Sequence, residues 1–231
     1  MLFPQFDEIE ISRISKWVGR DPIFKRGQII KGKDVPSFYG RVDFFTSVAR
    51  YNNISSYIEN NQGKIGGYDG SVWMDWVVID VDEISPKKVK LFLEHLEINY
   101  DIPIDSLRIF FSGSRGFHIL IPSPLFGLRP SKLLHKVIGK IVDKIAENVI
   151  KYDPTLYDKN QILRLQFTKH SRTKLFKTPI TFSELNLGGK AIKEIAKEIR
   201  YDFEFPEYIK KPINELVKLA KECCNEISAE L

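Results

Sequence analysis

The chain has 231 residues, 43% of them hydrophobic and 28% charged, which excludes a disordered or fibrous protein. It fits one large globular domain, or two small lobes sharing a core. A net charge of +5 and a pI near 9.0 suit a polyanionic partner without requiring one.

The opening stretch, MLFPQFDEIEISR, is acidic and broken by proline, so it does not read as a signal peptide. The first predicted strand spans 42–48 (VDFFTSV), and the clearest loop is Gln62 to Ser71. A second strand is expected at 76–82 (WVVIDVD). Ser85 and Pro86 then form a cap and first-turn proline, opening a helix to about Leu96. Strands follow at 107–111 (LRIFF) and 117–122 (FHILIP), joined by a glycine-rich turn. From Pro130 to Ile150 apolar residues recur at helical spacing, leaving Lys136, Lys140, Asp143, Lys144 and Glu147 for water. Weaker strands are expected at 162–168 and 175–181, and amphipathic helices at 190–200 and 212–228. The two cysteines, Cys223 and Cys224, are adjacent, and only four histidines are present. No zinc site is therefore expected, and bare thiols fit a reducing cytoplasm. No apolar run approaches membrane-spanning length. The predicted class is α+β, a single catalytic-sized unit over 1–231 with a helical segment at about 190–230.

Three stretches can carry chemistry. In WVVIDVD, Asp80 and Asp82 follow an apolar run and share one face of a strand, roughly 6.6 Å apart at Cα. Such carboxylates repel unless a cation lies between them, and oxygen donors suit Mg²⁺ or Mn²⁺. The alternative is a strand that ends at Asp80, leaving two solvated loop aspartates. In FFSGSRGFHILI, the glycines can turn backbone N–H groups into an anion nest, with Ser112 as hydroxyl donor and Arg115 forking onto phosphate oxygens. Strand alternation puts His118 on a face with Leu120, opposite Phe117 and Ile119. A plain hairpin turn with a core histidine is the competing possibility. The third stretch, 151–180, begins with Asp153 before a proline. It then runs through Arg164, Lys169, His170, Arg172, Lys174 and Lys177, with no acidic residue between 159 and 183. Basic residues alternating with Leu165, Phe167, Leu175 and Phe176 favour a phosphate-lined groove over a merely solvated face. Together these stretches make a kit for metal-assisted phosphoryl transfer.

In this order the three motifs resemble those of the archaeo-eukaryotic primase superfamily, which includes primase small subunits and primase-polymerases. Asp80-Val81-Asp82 matches the hhhDhD motif, and Ser112 to His118 matches SGxRGxH. Asp153 with the downstream basic strand is similar to the third. The resemblance covers about residues 40–182. It implies an N-terminal α/β module beside an RRM-like module, with the active site between them. It also implies that Asp80, Asp82 and Asp153 hold two divalent ions, Mg²⁺ or Mn²⁺. Ser112, Arg115, His118 and Arg164, with Lys169 or His170, would contact a nucleoside triphosphate. Arg172, Lys174 and Lys177 are expected to contact DNA. Asp158 competes with Asp153 for the third carboxylate; the spacing to Arg164 and the tyrosine at 157 favour Asp153. The zinc knuckle of many members is missing.

The expected function is a DNA primase or primase-polymerase, acting on single-stranded DNA with nucleoside triphosphates in the cytoplasm or at the nucleoid. A large subunit or a helicase would be its partner class, and no membrane is expected. The rivals are a primer-extending repair polymerase and a non-catalytic nucleic-acid-binding subunit.

Overall fold

The structure, a computed structural model, describes residues 2–82 and 85–230. Its architecture is α+β, built on two antiparallel sheets.

The first sheet begins with a long hairpin, β1 (Glu8–Val18) and β2 (Asp21–Lys31), turning at Gly19. β1 is long enough to pair on its other edge with two short strands, β3 (Phe44–Ser47) and β4 (Arg50–Tyr51). After α1 (Ile54–Asn60), β5 (Val72–Trp73) extends the sheet beyond β4. The late strand β9 (Ile162–Arg164) extends it beyond β3.

The second sheet has the order β10-β7-β8-β6. Its strands are β6 (Trp76–Val81), β7 (Arg108–Phe111), β8 (Phe117–Pro122) and β10 (Thr178–Ile180). Between β6 and β7 lies α2 (Pro86–Tyr100), capped by Ser85, whose hydroxyl accepts the Lys88 N–H, and started by Pro86. α3 (Leu134–Ala146) follows β8. The βαββα order is that of an RRM-like module, with the last strand, β10, laid beside β7. Two further helices, α4 (Gly188–Ile195) and α5 (Asn214–Ala229), complete the chain.

Strand alternation sorts the second sheet into two faces. Val77, Ile79 and Val81 point into the main core with Phe92, Leu93 and Leu96 of α2 and Ile138, Ile141 and Val142 of α3. Phe92 is fully buried there, so truncating it should cost about 3–5 kcal/mol. On the other face Val78, Phe110 and Leu120 meet Leu163 of β9 and Val48, in the bend after β3. The second sheet is thus covered by helices on one side and by the first sheet on the other. The chemistry-bearing residues lie on the side facing the first sheet.

Several expectations change; the strands expected at 162–168 and 175–181 are only three residues each, and the helix expected at 190–200 ends at Ile195. The segment before residue 40 had no strand assigned, yet it forms the longest hairpin in the fold. The predicted helix at 130–150 is shorter, because Ser131 pairs with Val72 through two backbone hydrogen bonds of 3.1 and 3.2 Å instead of continuing a helix. Among the described residues no helix is long and apolar enough to cross a membrane.

Candidate functional site

Asp80 lies at the end of β6, opposite His118 of β8 in the register. The backbone N–H of Asp153 donates to the Asp80 carbonyl at 2.9 Å, bringing a third carboxylate to the same strand end. Asp158 is not brought there; its Oδ1 accepts the Asn160 N–H at 2.9 Å. Burial, then the nearby charge of Asp82 and, more weakly, of Asp153, pushes Asp80 up from 3.8 to about 7, with Lys177 pulling the other way. The three carboxylates are therefore electrostatic neighbours. They do not converge: among the described residues no three acidic, imidazole or thiol groups meet at one point. The Asp153 carboxylate is turned into its own 3-10 turn, with Oδ1 accepting from Thr155 N at 2.9 Å and Thr155 Oγ1 at 2.8 Å. An all-oxygen set in which Asp82 and Asp153 add to the raised pKa of Asp80 fits a hard divalent cation, which would remove the repulsion.

The loop from Ser112 to Gly116 closes on itself. Ser112 N donates to the Gly116 carbonyl at 2.9 Å, and Ser112 Oγ accepts the N–H groups of Ser114 at 3.3 Å and Gly116 at 3.2 Å. The amides do converge on one point, as the sequence suggests, but the serine oxygen sits at that point. Gly113 has φ +82°, where a side chain is strained. Gly116 passes so close to β6 that an added Cβ would lie 2.1 Å from the Val81 carbonyl oxygen. This contact seats the loop beside Asp82. Arg115 is exposed, and it lines a groove of about 550 Å³ together with Asp82, Lys88 and Asp153.

His118 is buried, with Nε2 3.5 Å from Asp80 Oδ1 and no partner for Nδ1 among the described residues. Desolvation, with Lys177 and Arg164 nearby, holds its pKa well below the ordinary value, so the imidazole is neutral. Arg164 is also buried, and its Nη1 donates to Asp43 Oδ1 at 3.0 Å. Burial alone would raise Asp43; hydrogen bonds from Ser171 and Arg164 outweigh it and hold the carboxyl low.

Lys177 does not face DNA as expected. It is 3% exposed, because it stands just before the edge strand β10 and is covered by the 164–168 segment: its backbone pairs with Phe167 and Thr168, and its Nζ donates to the Arg164 carbonyl at 2.7 Å. Burial brings it down to about 7, with Arg164 adding to the effect and Asp80 opposing it. Arg172 remains at the surface, stacked 3.7 Å from the Trp17 ring centroid and donating to the Gly19 carbonyl at the hairpin tip. His170 is turned toward Trp17, 6.0 Å between centroids, and its Nδ1 accepts the Arg172 N–H at 3.1 Å. Lys169 lies over Phe176, and Lys174 is exposed. The basic segment therefore splits. Arg164 and Lys177 sit beside Asp80 and His118, whereas His170 and Arg172 clasp the hairpin.

Sequence reasoning missed the residues that surround these groups. A cavity of about 270 Å³ between the two sheets is lined by Val78, Phe110, Leu120, Arg164 and Lys177, and also by Arg50 and Arg108. Arg108 is held between Trp76 and Phe205, 4.5 and 4.7 Å from the ring centroids. Period-two alternation from Arg108 through Phe110 to Ser112 could have placed it on the same face. Nothing local marked Asp43, whose partner is 121 residues away.

No protein-family model and no curated protein sequence matches the chain. Among the solved structures similar to it are two. One is primase RepB', at 12% identity and a TM-score of 0.46, matched over 97% of this chain and 59% of its own length. The other is the polymerase domain from Mycobacterium tuberculosis Ligase D in complex with DNA, at 11% identity and a TM-score of 0.45, matched over 95% of this chain and 83% of its own length. The chain thus spans 59% of the length of RepB'.

Proposed function

We propose that the chain is a template-directed nucleotidyltransferase, a DNA primase or primase-polymerase. The observation that supports this best is the end of β6, where Asp80 has Asp82 and Asp153 as electrostatic neighbours. There burial and mutual repulsion raise Asp80 to about 7, directly beside a loop of converging amides.

Asp80, Asp82 and Asp153 would hold divalent cations, which when bound neutralise the triphosphate and favour ionisation of the attacking hydroxyl. The chain's own groups do the rest. Phosphate oxygens would replace Ser112 Oγ on the N–H groups of Ser114 and Gly116, and Arg115 would fork onto them from the rim. The neutral His118 would donate a hydrogen bond to a charged phosphate oxygen, worth about 1.5–3 kcal/mol. Arg164, fixed by Asp43, and Lys177 supply positive charge from the buried side, where the apolar wall of Val78, Phe110 and Leu120 keeps the dielectric low.

The decisive assay incubates the protein with single-stranded DNA, labelled nucleotides and Mg²⁺ or Mn²⁺, with and without a primer. Product without primer establishes priming. Product only with primer means an extension polymerase. No product in either case, from folded protein, overturns the enzyme reading in favour of a binding subunit.

A further inference from the structure

The N-terminal hairpin carries a second basic site. Between its exposed end and the Phe38–Phe44 segment runs a groove of about 610 Å³. Arg13, Lys25, Arg26 and Arg41 line it, and no carboxylate does. Arg26 is committed to structure: it makes a two-pronged contact of 3.0 and 2.6 Å with the buried Glu10. The other three cations are exposed, and among the described residues none of them makes an ion pair.

Their arrangement is costly in the free protein. Arg13 and Lys25 are direct cross-strand partners in the hairpin register, and like charges placed opposite one another destabilise a sheet. Arg41 adds a third positive charge. Its guanidinium lies 4.7 Å from the Phe38 centroid and 5.6 Å from that of Phe44, above two rings 5.4 Å apart. A cation stacked on aromatic rings is held in place before any ligand arrives. Three convergent cations over an aromatic floor complement a chain of phosphates bearing flat bases.

The groove is also tied to the candidate site. The Arg41 carbonyl accepts the Lys169 N–H at 2.8 Å, and the Asp43 N–H donates to the Lys169 carbonyl at 2.8 Å. Asp43 in turn grips Arg164.

We infer that this groove binds single-stranded DNA through Arg13, Lys25 and Arg41, guiding the template toward the carboxylate site. The inference rests on the nucleotidyltransferase reading for its choice of ligand, and binding can be tested apart from catalysis.

The probe is a fluorescein-labelled dT20 oligonucleotide, titrated by anisotropy across a salt series. The Arg13→Glu/Lys25→Glu/Arg41→Glu variant is compared with Lys210→Glu/Lys211→Glu/Lys221→Glu, which changes net charge equally at exposed positions elsewhere. The alanine triple variant at the groove serves if the glutamate one does not fold. The groove variants should lose at least about tenfold in affinity. Their log affinity against log salt should be shallower by about two, from three phosphate contacts on a single strand. Unchanged affinity and slope overturn the inference, as does an equal loss in the control or a wild-type protein that does not bind dT20. Loss at the groove in a protein that incorporates no nucleotide leaves the inference standing and removes the enzyme reading. Normal binding by the groove variants of an active enzyme does the reverse.

Discussion

The backbone of Asp153 is hydrogen-bonded to the backbone of Asp80, N–H to carbonyl at 2.9 Å, across 73 positions of sequence. The contact makes the end of β6 and the turn after α3 a single unit. It brings Asp153, and not Asp158, to the strand end that carries Asp80.

Asp153→Ala should therefore lower nucleotide incorporation by more than about a hundredfold, since even groups that only support a metal ligand are worth 10–100-fold. Asp158→Ala should leave it within a few-fold. Single-turnover primer extension with both variants decides the assignment; the opposite ranking would move the role to Asp158.

Asp80 makes stability depend on pH and on cation together. Its folded pKa is raised from 3.8 to about 7, so between those values the folded state binds more protons than the unfolded. Stability must fall as pH rises through that window. A divalent cation bound by the carboxylates cancels the penalty. The gain in melting temperature on adding Mn²⁺ should be larger at pH 8 than at pH 5, and Asp80→Asn should flatten this difference. Equal gains at both pH values would count against a cation at Asp80.

Lys177 acts in the opposite sense. Its folded pKa is lowered from 10.5 to about 7, so within that window the unfolded chain binds the extra proton. Stability should rise as pH increases from about 7 toward 10.5. Lys177→Met should remove that rise in urea titrations at pH 7 and pH 9. A surface lysine, as the sequence suggested, would show no such dependence.

Gly116→Ala tests the seating of the loop. A methyl group 2.1 Å from the Val81 carbonyl oxygen cannot fit without displacing the strand that carries Asp80 and Asp82. The expected loss is about 1–3 kcal/mol, as for overpacking elsewhere, together with reduced activity. Denaturant melts and primer extension on one preparation check both. A stable, fully active variant would mean that the loop can shift without disturbing the carboxylates.

His118→Ala separates phosphate contact from metal contact. The loss of one hydrogen bond to a charged oxygen should weaken nucleotide binding by about 1.5–3 kcal/mol, with Mn²⁺ binding to nucleotide-free protein barely changed. Calorimetry with Mn²⁺ alone, then with nucleotide, reads the two separately. Lost Mn²⁺ binding would make His118 a ligand.

The legible parts of this fold are those where burial writes a dense apolar pattern. β8 spans 117–122 as expected, and β6 ends one residue short of the predicted 82, because both strands supply a core face that alternates without interruption. The hairpin was invisible for the opposite reason. β2 is mostly exposed and contains Pro22 and Gly27, so its strand character comes from pairing with β1 and not from its own composition. The same limit applies to Lys177. A lysine in a basic run reads as surface until the segment covering it is known, and that segment, 164–168, is brought over it by backbone pairing. Asp43 likewise acquires meaning only when Arg164 arrives on β9.

The hydroxyl of Ser112 has one further consequence. Because its oxygen already satisfies the amides of Ser114 and Gly116, the proposed phosphate would not fill an empty socket but evict an occupant. The affinity of the loop is then the difference between two oxygens, one neutral and tethered, the other charged and free to leave. A single phosphate would gain little from that exchange, whereas a triphosphate also engaging Arg115 and His118, as proposed, would gain at several points at once. In the proposed reaction the same tether would speed departure: as pyrophosphate left, the serine oxygen would return to its amides, and the loop would not stand bare between turnovers.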